Sequence, residues 1–165
     1  HGGLIGVIVS LYVYSYKHRI SFLRLADSIC AAIPIGLGLV RIGNFLNGEL
    51  YGRPTDGTWG FIFPTDPYGF TRHPSQLYEA FFEGIFLFVL LMFIGVKNNK
   101  HGIISGSFLL AYGLIRFFIE YFRQPDSHMG FVALQLSMGQ LLSIPMVIIG
   151  LILLTKSLRK NEAVS

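Results

Sequence analysis

Tyr112, Arg116 and Glu120 stand four residues apart, a spacing that stacks their side chains on one helix face with about 40° of drift per step. Glu79 and Glu83 share that spacing, and two carboxylates so placed repel each other unless cations answer them. Arg41 and Arg116 are the cations that fall at the ends of strongly apolar stretches, beside those carboxylates. The expected result is a cluster of two arginines and up to three glutamates, ringed by Asn, Gln and Tyr. A guanidinium presents a planar fork that suits phosphate and carboxylate equally. Such a cluster can therefore bind an anion or tie helices together, and spacing alone leaves both readings open. The run Arg41-Ile42-Gly43-Asn44-Phe45-Leu46-Asn47-Gly48-Glu49-Leu50-Tyr51-Gly52-Arg53 adds three glycines and two asparagines among charges. It reads either as a helix end with an Asn-Gly turn or as backbone built to approach a ligand closely.

The elements that must carry these residues follow from composition. Of 165 residues, 52% are hydrophobic and 13% charged, the latter roughly half the share of a soluble domain. Mean hydropathy is +0.56. A soluble enzyme of this composition would expose large apolar patches. One cysteine, Cys30, excludes a disulfide scaffold, and 15% aromatic residues exclude disorder. The net charge of +4 is not clustered as a nucleic-acid footprint requires. The expected fold is an all-α, polytopic transmembrane bundle with about five segments: Gly2 to Tyr16, Ala26 to Asn44, Leu77 to Val96, Gly102 to Phe122 and Met138 to Thr155. Asp27 and Pro34 weaken the second, and Ser137 and Gln140 are spaced as a capping box before the fifth. Residues 1–165 read as one membrane domain, the interior or C-terminal piece of a longer protein.

Cations set the orientation. Lys17, Arg19, Arg24, Lys97 and Lys100 lie in the connections after the first and third segments, and Lys156, Arg159 and Lys160 in the tail. The alternate connections hold only Arg53, Arg72 and Arg123. This excess places the first group in the cytoplasm. The loop at about 45–74, with Tyr51, Trp59, Phe61, Phe63, Tyr68 and Phe70, is then expected to face outward in the headgroup zone. His1, Arg41, Asn44, Asn47, Glu49, His73, Gln76, Glu79, Glu83, Arg116 and Glu120 all fall in the outer half. Charges inside a membrane are costly and mark function. Two arginines beside the outer headgroup zone point to a phospholipid phosphate.

The Arg41–Arg53 run closely resembles the signature segment of the prolipoprotein diacylglyceryl transferase family. Three further blocks are similar to that family in the same order: His1-Gly2-Gly3-Leu4-Ile5-Gly6, Arg72-His73-Pro74-Ser75-Gln76-Leu77-Tyr78-Glu79, and Tyr112-Gly113-Leu114-Ile115-Arg116-Phe117-Phe118-Ile119-Glu120 with its continuation Tyr121-Phe122-Arg123-Gln124-Pro125-Asp126. Val40 departs from the glycine common before the arginine. The resemblance implies a bacterial inner-membrane enzyme that moves the diacylglyceryl group of phosphatidylglycerol to the lipobox cysteine thiol of a prolipoprotein. A thioether forms and glycerol phosphate leaves. It also implies that the family's first helices precede His1, while the charged cluster's place opposite the Lys-rich connections is what opens the site to the outer face.

By the same resemblance, Arg41 and Arg116 handle phosphate and His1 is the thiol base, a role that suits an imidazole titrating near neutrality. Glu79, Tyr112, Asn44, Glu49 and Glu120 correspond to positions that orient substrate or the arginines. No cofactor or metal is expected, since no Cys/His cluster has ligand spacing. No Gly-x-Ser-x-Gly elbow or phosphate-binding loop motif occurs. Cys30 reads as a small core residue, and His18, His101 and His128 as loop residues. A carrier with arginines between helices, or a structural membrane subunit, stays open as a rival.

Overall fold

The computed structural model of the chain describes residues 2–57, 59–124, 131–133 and 136–159. The helices are α1 (Gly2–His18), α2 (Phe22–Leu46), α3 (Ser75–Lys97), α4 (Ile103–Ile119) and α5 (Met138–Arg159). Two short antiparallel pairs lie in the connections: β1 (Phe61–Ile62) with β2 (Thr71–Arg72), and β3 (Phe131–Ala133) with β4 (Leu136–Ser137).

Burial is inverted relative to a water-soluble protein. Among the described residues fifteen buried polar or charged side chains stand against seven buried hydrophobic ones, while Leu, Ile, Val and Phe cover the helix exteriors. A lipid-facing surface fits that distribution, because water does not reward exposed apolar rows. α2, α3 and α5 are long and apolar enough to cross a membrane. α1 and α4 have 17 residues each, so among the described residues length and composition establish three such helices, fewer than the five expected. The all-helical membrane character of the chain stands.

Small residues set the packing. A Cβ on Gly84 of α3 would sit 2.8 Å from the Gly38 Cα of α2, and one on Gly150 of α5 would sit 2.6 Å from the Leu110 nitrogen of α4. Such close backbone approach is how membrane helices gain van der Waals contact. Leu87, Leu91 and Phe108 form the apolar core, with Cys30 and Tyr112 packed against it.

Helix boundaries differ from the sequence expectation for definable reasons. α2 begins at Phe22 rather than Ala26, and Asp27 does not interrupt it. The Asp27 carboxylate instead crosses to α4, accepting from the backbone N–H of Gly102 at 2.6 Å, that of Ser105 at 2.8 Å, and the Ser105 hydroxyl. A carboxylate there satisfies orphan donors and complements the helix dipole. α4 stops at Ile119, because the N–H groups of Tyr121 and Phe122 turn back to Phe118 and Ile119 in a tighter turn. The Ser137–Gln140 box forms as its spacing anticipates: Ser137 N–H donates to Gln140 Oε1 at 3.1 Å and Gln140 N–H to Ser137 Oγ at 3.3 Å.

The α2–α3 connection is strapped to the bundle. Gly52 N–H donates to the His73 carbonyl at 2.9 Å and Arg53 N–H to that of Phe122 at 3.0 Å. Arg72 bonds Asp66 through two nitrogens, at 2.7 and 3.0 Å, and lies 4.7 Å over the Tyr51 ring. The hydrogen bond from Arg72 is the main cause that holds the Asp66 carboxyl below its ordinary range. Little solvent touches the pair.

Candidate active site

Four helix ends meet at one end of the bundle: the C-termini of α2 and α4 and the N-termini of α3 and α5. The charged residues converge there. Glu79 Oε2, on a side chain 1% exposed, lies 2.6 Å from Arg41 Nε and 2.9 Å from Arg116 Nη1. Arg116 also reaches Glu83 Oε1 at 3.5 Å and Glu120 Oε2 at 3.1 Å. Three helices thus contribute to one network, in which Glu79 is the shared anion.

The backbone between Glu79 and Glu83 is not ordinary α-helix. Ala80–Phe86 forms a π-helical stretch, whose wider turn keeps both glutamates on the arginine side while Gly84 meets α2. Nothing in the sequence signals it. Glu120 is held from outside as well, since a Cβ on Gly139 in the first turn of α5 would sit 2.6 Å from its Oε2. A helix N-terminus favours an anion in that position.

The Asn-Gly turn closes α2 as a Schellman motif. Gly48 N–H bonds the Phe45 carbonyl and Glu49 N–H that of Asn44, both at 3.0 Å, with Gly48 at φ +67°. The Thr65 hydroxyl donates to the Gly48 carbonyl. Chain reversal brings Glu49 back over Asn44. With its amide oriented to satisfy both partners, Asn44 accepts from Arg41 Nη1 at 3.2 Å and donates to Glu49 Oε1 at 3.1 Å.

The structure therefore joins Arg41, Asn44, Glu49, Glu79, Arg116 and Glu120 in one contiguous polar site. Tyr112 lies one turn from Arg116 along α4, with its ring stacked on Phe108 at 5.6 Å. It makes no hydrogen bond to any described residue, and its ring packs against the Leu87, Leu91 and Phe108 core beside the charged cluster. His1 lies outside the described residues. Gly139 is the member to which the sequence did not point, and Gln76 is one of the expected polar ring whose contact the sequence did not give. Gln76 is fully buried and donates from Nε2 to the Glu49 carbonyl at 2.7 Å.

Fold and site together define a membrane helix bundle with a buried arginine–glutamate cluster gathered at one end. The model of the prolipoprotein diacylglyceryl transferase family matches residues 1–156, and the chain belongs to that family. Proteins named phosphatidylglycerol–prolipoprotein diacylglyceryl transferase are similar to it along nearly its whole length. That of Chlorobaculum tepidum is 49% identical over 162 residues, covering 98% of this chain and 56% of the relative. That of Bordetella parapertussis is 51% identical over 150 residues, covering 91% and 57%. That of Rickettsia felis is 50% identical over 160 residues, covering 95% and 61%. The chain thus spans somewhat over half the length of these relatives.

Proposed function

We propose that the complete protein transfers the diacylglyceryl group of phosphatidylglycerol to the lipobox cysteine of a prolipoprotein. The thiol gives up its proton, with His1 as the base. The thiolate sulfur attacks the glyceryl carbon that bears the phosphate ester. A C–S bond forms, the C–O bond to phosphate breaks, and the electron pair leaves with glycerol phosphate. Charge accumulates on phosphate oxygen, and fixed cations in a dry site are what stabilise it.

The observation that carries this reading is the convergence of two guanidinium groups from different helices on one oxygen, Glu79 Oε2. That oxygen marks a point both cations can reach, where a phosphate oxygen could be gripped. Asn44 accepts from Arg41 Nη1 alone, and a guanidinium carries five N–H donors, which leaves donors for an incoming anion. Glu79, Glu120, Tyr112 and the Asn44–Glu49 pair orient the arginines or the substrate.

The same proposal includes an inner-membrane location, five crossings and a site open to the outer face. The excess of Lys and Arg at the opposite end supports that orientation. A 17-residue helix rises about 25 Å, close to the ~30 Å hydrocarbon core, so α1 and α4 can cross with their flanking turns. The test is the complete protein in phosphatidylglycerol vesicles with a lipobox peptide. A thioether-linked diacylglyceryl peptide with released glycerol phosphate supports the reading, and an unmodified peptide contradicts it.

A further inference from the structure

We propose that Gln76 is a positioning residue of this site: its amide fixes the Glu49–Leu50 backbone and, through Glu49 and Asn44, holds Arg41 facing Glu79 and Arg116. This role deepens the transfer reading above and rests on it for its kinetic consequence.

The geometry runs link by link. Gln76 Nε2 donates to the Glu49 carbonyl at 2.7 Å, and its neighbour Ser75 Oγ donates to the Leu50 carbonyl at 3.3 Å. A backbone carbonyl only accepts, so this contact fixes the amide orientation and identifies Oε1 as the remaining atom. Oε1 is buried and has no partner among the described residues. The amide is therefore kept for the bond it donates, despite the penalty of a bare acceptor.

What it holds needs holding. Leu50 sits at φ +57°, a left-handed backbone that a branched side chain disfavours and that persists only where surroundings enforce it. Released, Leu50 would relax and carry the Glu49 carboxylate away from Asn44. Asn44 would then lose the partner that aligns its oxygen with Arg41 Nη1. Gln76 and Glu79 stand three residues apart on one face of α3. α3 therefore grips Arg41 twice, directly at Nε through Glu79 and indirectly at Nη1 through Gln76, Glu49 and Asn44.

The test uses the complete protein in phosphatidylglycerol vesicles with a lipobox peptide. Gln76→Met keeps the volume and removes the donor, and Gln76→Glu keeps the acceptor and removes the donor. For whichever variant folds to wild-type yield, kcat should fall at least ~10-fold while KM for phosphatidylglycerol moves less than ~3-fold, as misplacement of a catalytic group predicts. In an Asn44→Ala background the same substitution should cost less than ~2-fold more, because both act through one chain of contacts. Backbone amide exchange should accelerate over residues 44–50 and stay unchanged along α4. Wild-type kcat in a folded variant, independent multiplication with Asn44→Ala, or unchanged exchange over 44–50 would each overturn the role. Should the wild-type protein form no thioether, the transfer reading fails, and the exchange measurement alone still decides whether Gln76 holds this segment.

Discussion

The two ends of the bundle treat buried charge in opposite ways. At one end, Asp27 accepts three hydrogen bonds from Gly102 and Ser105, and its carboxylate is closed. At the other, Arg41 Nε, Gln76 Oε1, Glu83 Oε2 and Glu120 Oε2 are buried without a hydrogen-bonding partner among the described residues, though both arginines lie within ion-pair distance of glutamates. A buried polar group that serves only the fold is normally satisfied. The closed end is architecture, and the other end is where the proposed phosphate site falls. Arg41 Nε and Glu120 Oε2 are ion-paired all the same, so it is Gln76 Oε1 and Glu83 Oε2 that weigh against a purely structural reading of the cluster.

Arg116→Lys breaks the comparison hardest. Lysine keeps the charge but loses the planar fork that can grip two oxygens, so the complete protein should fold normally and transfer at least ~100-fold more slowly, about 2.7 kcal/mol of barrier. Folded yield and glycerol phosphate release, measured together, check it. Near wild-type transfer would make Arg116 a structural partner of Glu79 and Glu120.

Asp27→Ala probes the closed end. It leaves the Gly102 and Ser105 N–H groups buried and unmet and should cost about 2 kcal/mol of stability. Transfer per folded molecule should be unchanged. Denaturation in mixed micelles beside specific activity separates the two effects, and a fall in specific activity at full stability would erase the distinction between the ends.

These expectations draw on both sequence and structure, and the two contributed unequally. The convergence of Arg41, Glu79, Arg116 and Glu120 was legible because charge is rare in apolar segments and i, i+4 spacing fixes a face. The Ser137–Gln140 box was legible because its geometry is local. Asp27 looked like a weakness in the second segment, because its partners lie about 75 residues away in sequence. The π-helical stretch arises from the fit of Gly84 against Gly38 while two glutamates face the arginines, a compromise no local pattern encodes. Gln76 was legible as one of the polar residues converging on the outer half, but its contact was not, since that lies in the carbonyl it meets.

The smallest effect belongs to the α2–α3 connection. Asp66 has its carboxyl held below the ordinary range by the Arg72 hydrogen bond, so its contribution is fully present above the unfolded value and is lost as pH falls through the lower, folded one. A spin label at the exposed Ile62 should therefore keep constant mobility from about pH 8 to about pH 5 and loosen only below about pH 4. Loosening near neutrality would assign the restraint to a group other than this pair.

The open end is a phosphate site if phosphatidylglycerol stabilises the protein through it. The direct measurement is thermal unfolding of the complete protein in neutral micelles, titrated with phosphatidylglycerol or with diacylglycerol, which lacks the phosphate. At roughly 100 times the dissociation constant, a ligand bound only by the folded state adds about 2.7 kcal/mol. The account expects that stabilisation from phosphatidylglycerol alone, and its loss in Arg116→Lys. Equal stabilisation by both lipids, or by phosphatidylglycerol in wild type and Arg116→Lys alike, would contradict it.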